Sequence, residues 1–301
     1  MNIKLISHID KDGYGCNYLL KNLYPECNID AINIEYEDIG NTIINFFKEY
    51  KNYDQLFITD LSLSPSICEL IDSYKNKIKI NYYDHHETSL HANKYDWAEV
   101  ITRIENKKTC ATEILAIYKL INIRKDIKNY DFLLEFIEDV RLWDTWDFNK
   151  TNNKIPSKIN DLLYLLGPEK WIEELDKYKS LNKMIENNKT LLDFREKDIQ
   201  NYINKKDKNI IEHNINEYKV GCVFAERYLS QLGNELANRH PEYDLIAMIT
   251  PTTVSYRTNK ENINCAEIAK LLGGGGHPKS AGSPIMNVDK INYINSIFCN
   301  H

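Results

Sequence analysis

Short apolar runs alternate with amphipathic stretches through the first half of the chain. Residues 3–7 predict a strand, and 14–24, stopped by Pro25, a helix. Residues 28–34 predict a second strand, and 37–50 an amphipathic helix with Ile43, Ile44, Phe46 and Phe47 as its apolar positions. A third strand, 55–59, ends at Asp60, and Ser64-Pro65 opens a helix with proline at its favoured first position. Residues 78–83 form the next predicted strand, and 109–123 and 130–143 two further helices. Short strands alternating with helices are the signature of βαβ units and a parallel sheet.

From Pro168 to about Lys206 the sequence is charged and helical, with Trp171, Leu175, Tyr178, Leu181, Ile185, Leu192 and Phe194 at roughly helical spacing. A second unit follows: a strand over 218–225, a helix over 230–239, strands over 243–250 and 253–257, and a helix over 265–272 that runs into four glycines. The expected architecture is α/β. It has a doubly wound, mainly parallel N-terminal sheet (1–180), a helical connector (181–209), and a smaller C-terminal α/β domain with a mixed sheet (210–301). That the connector helices simply complete the first domain is an equal reading.

The strand ends carry the chemistry. Asp84-His85-His86 directly follows the 78–83 strand. An acid and two imidazoles supply oxygen and nitrogen ligands for a divalent cation, and ligands of open parallel sheets sit at the carboxyl ends of strands. His8, Asp10 and Asp12 stand at i, i+2 and i+4, which puts all three on one face of an extended backbone. Ionisable groups so placed repel or desolvate one another unless a cation sits among them. Gly13 then lets the backbone turn closely around the site. Asp60 ends a strand whose Leu56, Phe57 and Ile58 predict burial, although a loop acid or helix cap is its plain alternative. Asp144 is a further candidate, with Asp147 as its rival and Asp139 close by. His91 and His213 have no such company and read as surface or structural residues.

Counted for two cations, His8, Asp10 and Asp60 hold one, and Asp12, Asp60, His85 and Asp144 the other. Mixed carboxylate and imidazole ligands suit Mn²⁺ better than Mg²⁺, with Mg²⁺ or Co²⁺ as substitutes. Two cations about 3.5–4 Å apart stabilise attacking and leaving oxygens in phosphoryl displacement and acidify water.

Composition narrows the substrate and the compartment. A chain of 301 residues with 43% hydrophobic content has room for two domains with real cores. The net charge of −6 and a pI near 5.8 argue against an extended basic track for long nucleic acid. Seven cysteines, odd in number and without a C-x-x-C pair, argue against a disulfide framework or a thiolate zinc site. A reducing cytoplasm is the expected home. The chain starts straight into a strand, with no signal-peptide apolar region and no run of membrane-spanning length.

These motifs resemble the DHH phosphoesterase superfamily: His8-Ile9-Asp10-Lys11-Asp12-Gly13, the Asp60 site, Asp84-His85-His86 and Asp144. The second unit resembles its companion DHHA1 domain through Ser255-Tyr256-Arg257-Thr258, residues 264–272 and residues 273–282. The resemblance covers nearly the whole chain, least in the connector. It implies a two-metal phosphoesterase whose site faces a cleft between domains. By the same resemblance His86 contacts the scissile phosphate and assists the leaving group, and Asp84 orients a histidine. Arg257 and His277 bind phosphate from the second domain. Arginine forks onto phosphate oxygens, and the backbone N–H groups of Gly275 and Gly276 can approach an anion with no Cβ in the way. A helix C-cap with a flexible turn is the plain alternative for the glycines, but four exceed what a cap needs. Lys279 is a weaker candidate.

Two departures select a branch. Where pyrophosphatase-like and many oligonucleotide-hydrolysing members carry histidine four residues before the first paired aspartate, this chain has Ile6, so the first motif is closer to the D-x-D-x-D-G of the RecJ-type nucleases, with His8 replacing the first aspartate. Trp146 follows Asp144-Thr145 where many relatives have glycine; it reads first as a core tryptophan, with a base-stacking surface as the alternative. The resemblance implies a Mn²⁺-dependent phosphodiesterase that releases mononucleotides from short oligonucleotides or dinucleotides, as a nano-RNase does. Alternatives are a 3′-phosphoadenosine 5′-phosphate phosphatase, a cyclic-nucleotide phosphodiesterase and a non-catalytic DHH-like scaffold. No obligate protein partner is expected, and a homodimer is admitted.

Overall fold

Strand β1 (Asn2–His8) and helix α1 (Lys11–Leu23) open the chain, followed by β2 (Asn28–Ile34), α2 (Ile39–Glu49), β3 (Gln55–Thr59), α3 (Pro65–Asp72) and β4 (Lys79–Asp84). Short strands β5 (Ala98–Val100), β6 (Arg103–Ile104) and β7 (Lys107–Lys108) come next. Then follow α4 (Ala111–Ala116), α5 (Tyr130–Asp144), α6 (Asp147–Lys150), α7 (Ile155–Leu166), α8 (Pro168–Tyr178), α9 (Leu181–Asn187) and α10 (Lys189–Asp207). The remainder is β8 (Ile211–Ile215), β9 (Tyr218–Phe224), α11 (Leu229–Arg239), β10 (Leu245–Ile249), β11 (Thr253–Arg257), α12 (Cys265–Leu271), β12 (Gly275–His277) and β13 (Ser280–Pro284). This computed structural model describes residues 1–121, 127–286 and 289–292. The chain divides into two compact units, Met1–Leu192 and Asp193–His301.

The first unit is built on a five-stranded sheet of order β2-β1-β3-β4-β5, parallel at every pairing. Strand periodicity sorts its side chains onto two faces. Ile3, Leu5, Phe57 and Tyr83 join one core with α1, α4, α5 and α7, while Ile6, Leu56, Ile58, Ile80 and Tyr82 join another with α2 and α3. A sheet covered by helices on both faces explains why these strands read as nearly unbroken apolar runs. The strand order reverses beside β1, and the carboxyl ends around such a switch point are where open α/β sheets place ligands. The predicted doubly wound sheet is the observed one.

The helical stretch after Pro168 splits between the units. Trp171 and Leu175 of α8 and Leu181 and Met184 of α9 are buried in the core of the first unit. Ile199 and Ile203 of α10 are buried in the second. The second unit carries a mixed sheet of order β12-β13-β11-β10-β9-β8, in which only β9 and β10 pair in parallel. Helix α12 covers one face with Ile268 and Ala269, and α11 covers the other with Leu232 and Leu236.

Several local expectations change. The predicted 37–50 helix begins with a 3₁₀ turn, Tyr36–Asp38, before α2. The predicted 109–123 helix is α4 followed by a π-helical turn, Ile117–Ile121; residues 122 and 123 lie outside the described residues. The four glycines divide after α12: Gly273 and Gly274 form the turn that ends the helix, their N–H groups donating to the carbonyls of Lys270 at 3.2 Å and Ala269 at 2.8 Å. Gly275 and Gly276 begin a hairpin strand that pairs with β13.

Candidate metal centre

The carboxyl ends of β1, β3 and β4 lie side by side, and each delivers acids or imidazoles. His8 is the last residue of β1, and the extended conformation expected to continue through Asp12 stops there. Asp10 instead caps α1, its Oδ1 accepting hydrogen bonds from the backbone N–H groups of Asp12 and Gly13 at 3.0 Å each. Asp12 then lies in the first helical turn, so the strand-to-helix corner, rather than strand alternation, brings the three together. Gly13 is required there by contact: an added Cβ would lie 2.0 Å from the His8 carbonyl oxygen. Asp12 is gripped by the neighbouring helix on the same face, accepting backbone N–H groups of Ala111 at 2.7 Å and Thr112 at 2.8 Å at the start of α4.

Asp60 follows β3 in a left-handed backbone conformation, φ 56°, and its N–H donates to the Tyr83 carbonyl at 3.0 Å. Such a conformation costs a non-glycine residue of order 1 kcal/mol or more and is most tolerated by Asp and Asn. Its effect is to turn a carboxylate that is only 1% exposed toward the ends of β1 and β4. Asp84, the last residue of β4, accepts from His86 Nδ1 at 2.7 Å on Oδ1, and its Oδ2 lies 2.9 Å from the Tyr82 hydroxyl. Asp84 thus orients His86 from behind, leaving Nε2 as the outward nitrogen.

The ligand atoms fall into overlapping sets. His8, Asp10 and Asp60 offer atoms within 4.8 Å of one another, and so do Asp12, His85 and Asp144; a third group, Asp60, Asp84, His85 and His86, shares Asp60 with the first and His85 with the second. His85 Nε2 joins the two, 3.3 Å from Asp60 Oδ1 and 3.8 Å from Asp12 Oδ2, while its Nδ1 lies 3.6 Å from Asp144 Oδ2. Asp147 is drawn elsewhere, paired with Arg141 at 3.1 Å and Lys150 at 2.7 Å.

Electrostatics show an unanswered demand for positive charge. Burial, followed by the Asp10, Asp12 and Asp144 charges, pushes the Asp60 carboxyl well above its usual range. Burial, Asp12 and Asp10 do the same to Asp144. Burial pulls His85 down, favouring the neutral imidazole that ligates metals. For His86 burial acts downward too, but contact with Asp84 and its charge outweigh it and hold the pKa up. Among the described residues, buried Asp60 Oδ2 has no hydrogen-bond partner, and His8 Nδ1 lies 3.8 Å from it and 3.1 Å from Asp10 Oδ2. An open carboxylate oxygen facing an imidazole nitrogen at that distance fits a cation between them. The donor set of imidazole nitrogen and carboxylate oxygen suits a divalent first-row ion.

In the second unit, Arg257 ends β11 and pairs in register with Ser280, which pairs in turn with His277. Arg257 donates to the Tyr256 carbonyl at 2.9 Å and the Ser230 hydroxyl at 3.2 Å, and among the described residues it forms no ion pair. Its stem lies against Gly233, where an added Cβ would come within 2.5 Å of Arg257 Cγ. Backbone geometry accounts for most of the four glycines. Gly273 has φ 75° at the end of α12; a Cβ on Gly274 would meet the Gly282 oxygen at 2.0 Å; one on Gly276 would meet Ala281 Cα at 2.5 Å. The end of α12 accounts for Gly273 through its backbone conformation and the hairpin for Gly274 and Gly276 through close contact, while an added Cβ at Gly275 would meet open space. Lys279 bonds the Lys260 carbonyl at 2.7 Å and Glu261 at 3.0 Å, and so is engaged within its own unit.

No family model matches the chain. Oligoribonuclease NrnB of Bacillus subtilis is 32% identical over 294 residues, covering 93% of this chain and 72% of that protein. This chain belongs to the DHH phosphoesterase superfamily. As a DHH protein it is a phosphoric-ester hydrolase. The DHH fold is shared at low identity by solved structures. The pGpG-specific phosphodiesterase PggH of Vibrio cholerae superposes with a TM-score of 0.56 at 13% identity, over 98% of this chain and 97% of that one. RecJ of Thermus thermophilus, solved in complex with Mn²⁺, gives 0.61 at 13% identity, over 99% of this chain and 52% of that one.

The DHH motifs do not exhaust the site. Glu35 Oε2 lies 3.6 Å from His8 Nε2, and the Tyr36 hydroxyl lies 3.1 Å from His86 Nε2. Both follow β2, whose carboxyl end obeys the same rule as its neighbours; reading past each predicted strand would have found them. Lys11, fully buried, pairs with Asp139 Oδ2 at 2.6 Å and donates to the carbonyls of Asp139 and Pro156. Nothing in the local sequence announces that long-range pair. Trp146, read as a core residue, is 44% exposed. Helix α5 ends at Asp144, and Trp146 takes a left-handed conformation, φ 61°, before α6, which turns its ring outward.

Proposed function

We propose that this protein is a two-metal, Mn²⁺-dependent phosphodiesterase that hydrolyses short oligonucleotides and dinucleotides to mononucleotides. The observation that carries the reading is the meeting of the His8–Asp10–Asp60 set with the Asp12–His85–Asp144 set at the 3.3 Å contact between Asp60 and His85. The likeness to an oligoribonuclease supports the substrate class. The net charge of −6 favours a short substrate over a long one.

His8, Asp10 and Asp60 would hold one cation, and Asp12, Asp60, His85 and Asp144 the other. Bound divalent cations supply positive charge to the phosphoryl oxygens and acidify water. The chain's own groups do the rest. Asp84 fixes the His86 ring through Nδ1, so that Nε2 meets the scissile phosphate and gives a hydrogen bond toward the leaving oxygen. Arg257 and His277, with the N–H groups of Gly275 and Gly276, take up phosphate charge. Exposed Trp146, two residues past Asp144, offers a face on which a base stacks, worth about 1–3 kcal/mol in such contacts. The reading includes a cytoplasmic home, which the six described cysteines, all free, support.

The test is incubation with Mn²⁺ and a panel of dinucleotides, tetramers, a long oligomer, cyclic mononucleotides and 3′-phosphoadenosine 5′-phosphate. Mononucleotide release should be fastest from the shortest oligomers. Turnover confined to the long oligomer, or to the phosphomonoester, would displace this reading.

A further inference from the structure

Tyr36 sits at the outer edge of the centre, opening the 3₁₀ turn after β2. Its hydroxyl is 3.1 Å from His86 Nε2, on the opposite side of the ring from the 2.7 Å contact between Nδ1 and Asp84. Its ring lies on His8, with centroids 4.6 Å apart, and stands edge-on to His86 at 6.0 Å. One side chain therefore touches a candidate metal ligand with its face and the phosphate-facing histidine with its hydroxyl. A continuous string results: Tyr82, Asp84, His86, Tyr36.

An imidazole held at one nitrogen keeps freedom about its last torsion, because rotation of a ring on a tetrahedral carbon is broad and nearly two-fold. A contact on the far nitrogen removes that freedom. An ionised carboxylate only accepts, so Asp84 requires the proton of His86 on Nδ1. Nε2 then faces the Tyr36 hydroxyl, which can donate to it or accept from it. We propose that Tyr36 is a positioning residue for hydrolysis: it acts through His86, holding the ring with Nε2 turned to the open side until the scissile phosphate replaces the Tyr36 hydroxyl on that nitrogen. The kinetic half of this inference rests on the phosphodiesterase reading; the structural half does not.

Tyr36→Phe keeps the ring on His8 and removes only the hydroxyl. In the full-length, metal-free protein, the imidazole ¹⁵N resonances of His86 are assigned by their loss in His86→Gln. Tyr36→Phe should move the Nε2 resonance and leave Nδ1 in place; an unmoved Nε2 overturns the contact whatever the enzyme does. With Mn²⁺ and a dinucleotide, Tyr36→Phe should lower kcat by about tenfold with KM and Mn²⁺ affinity near those of the parent. In the His86→Gln background the same change should have no further effect. Parent-like turnover, an equal loss in the His86→Gln background, or a fall in Mn²⁺ affinity alongside kcat would each sink the positioning role. A parent chain that hydrolyses no phosphodiester would sink the functional reading instead, while the ¹⁵N shift still decides for or against Tyr36.

Discussion

The first unit buries acids in two neighbouring places, and it balances them in opposite ways. Asp139 has Lys11 at 2.6 Å, and the lysine is further held by two backbone carbonyls. Elsewhere in the unit, Asp10, Asp12, Asp60 and Asp144 gather with His8 and His85, and among the described residues none of the four acids pairs with a lysine or arginine. Lys11 stands between Asp10 and Asp12 in sequence, yet its side chain runs the other way, into the core against α5 and α7. The chain thus spends Lys11 on structure, and Lys108, whose charge acts on Asp144, forms no ion pair with it among the described residues, so the cluster is left to be neutralised from outside. A buried charge needs a partner; where the chain supplies none, the site is built for one that arrives.

The sharpest way to break this contrast is Asp60→Asn, since Asn tolerates the left-handed backbone and keeps the shape. Hydrolysis should fall by roughly 10³-fold, about 4 kcal/mol of lost transition-state stabilisation. The metal-free melting temperature at pH 8 should hold or rise. The sign follows from linkage: a carboxyl whose folded pKa is raised loses stability as pH climbs above its unfolded value, and Asp60 is such a group. A lower metal-free melting temperature would make Asp60 a structural acid.

Lys11→Met is the complementary test. It strands Asp139 and should cost about 3–5 kcal/mol, a drop of roughly 6–20 °C in a unit of this size. Adding Asp139→Leu should restore most of the loss. If the single change proves harmless, the two buried regions do not differ as argued.

The mildest test is titration. Metal binding must ionise Asp60 and Asp144, which burial and neighbouring acids hold well above 3.8. Mn²⁺ affinity should therefore rise with pH through their raised range, with protons released on binding. Calorimetry in two buffers of different ionisation enthalpy reads the release; pH-independent affinity with no proton release would contradict the assignment.

Much of this was legible in the sequence because it depends on local rules. Unbroken apolar runs such as Leu56-Phe57-Ile58, alternating with amphipathic stretches, gave the parallel sheet, and polar residues just past predicted strands gave the centre. What escaped needed three-dimensional information. Asp12 was placed on an extended face, whereas helix α1 has already begun at Lys11. Tyr36 and Glu35 follow a strand that was identified, but no familiar motif drew attention to them. The Lys11–Asp139 pair spans 128 residues, and Trp146 is turned outward by a backbone conformation that its sequence does not signal.

The sheet order has a consequence for how such a protein can change. β1, β3 and β4 are immediate neighbours, and strands in a sheet stand about 4.8 Å apart. The pitch of backbone pairing is therefore the ruler that spaces the ligands, and it is the same ruler in every sheet. Segments farther out on the rim, such as the stretch around Trp146, can lengthen, shorten or exchange side chains without touching it. Selectivity is free to drift at the margin while the chemistry is held by the weave.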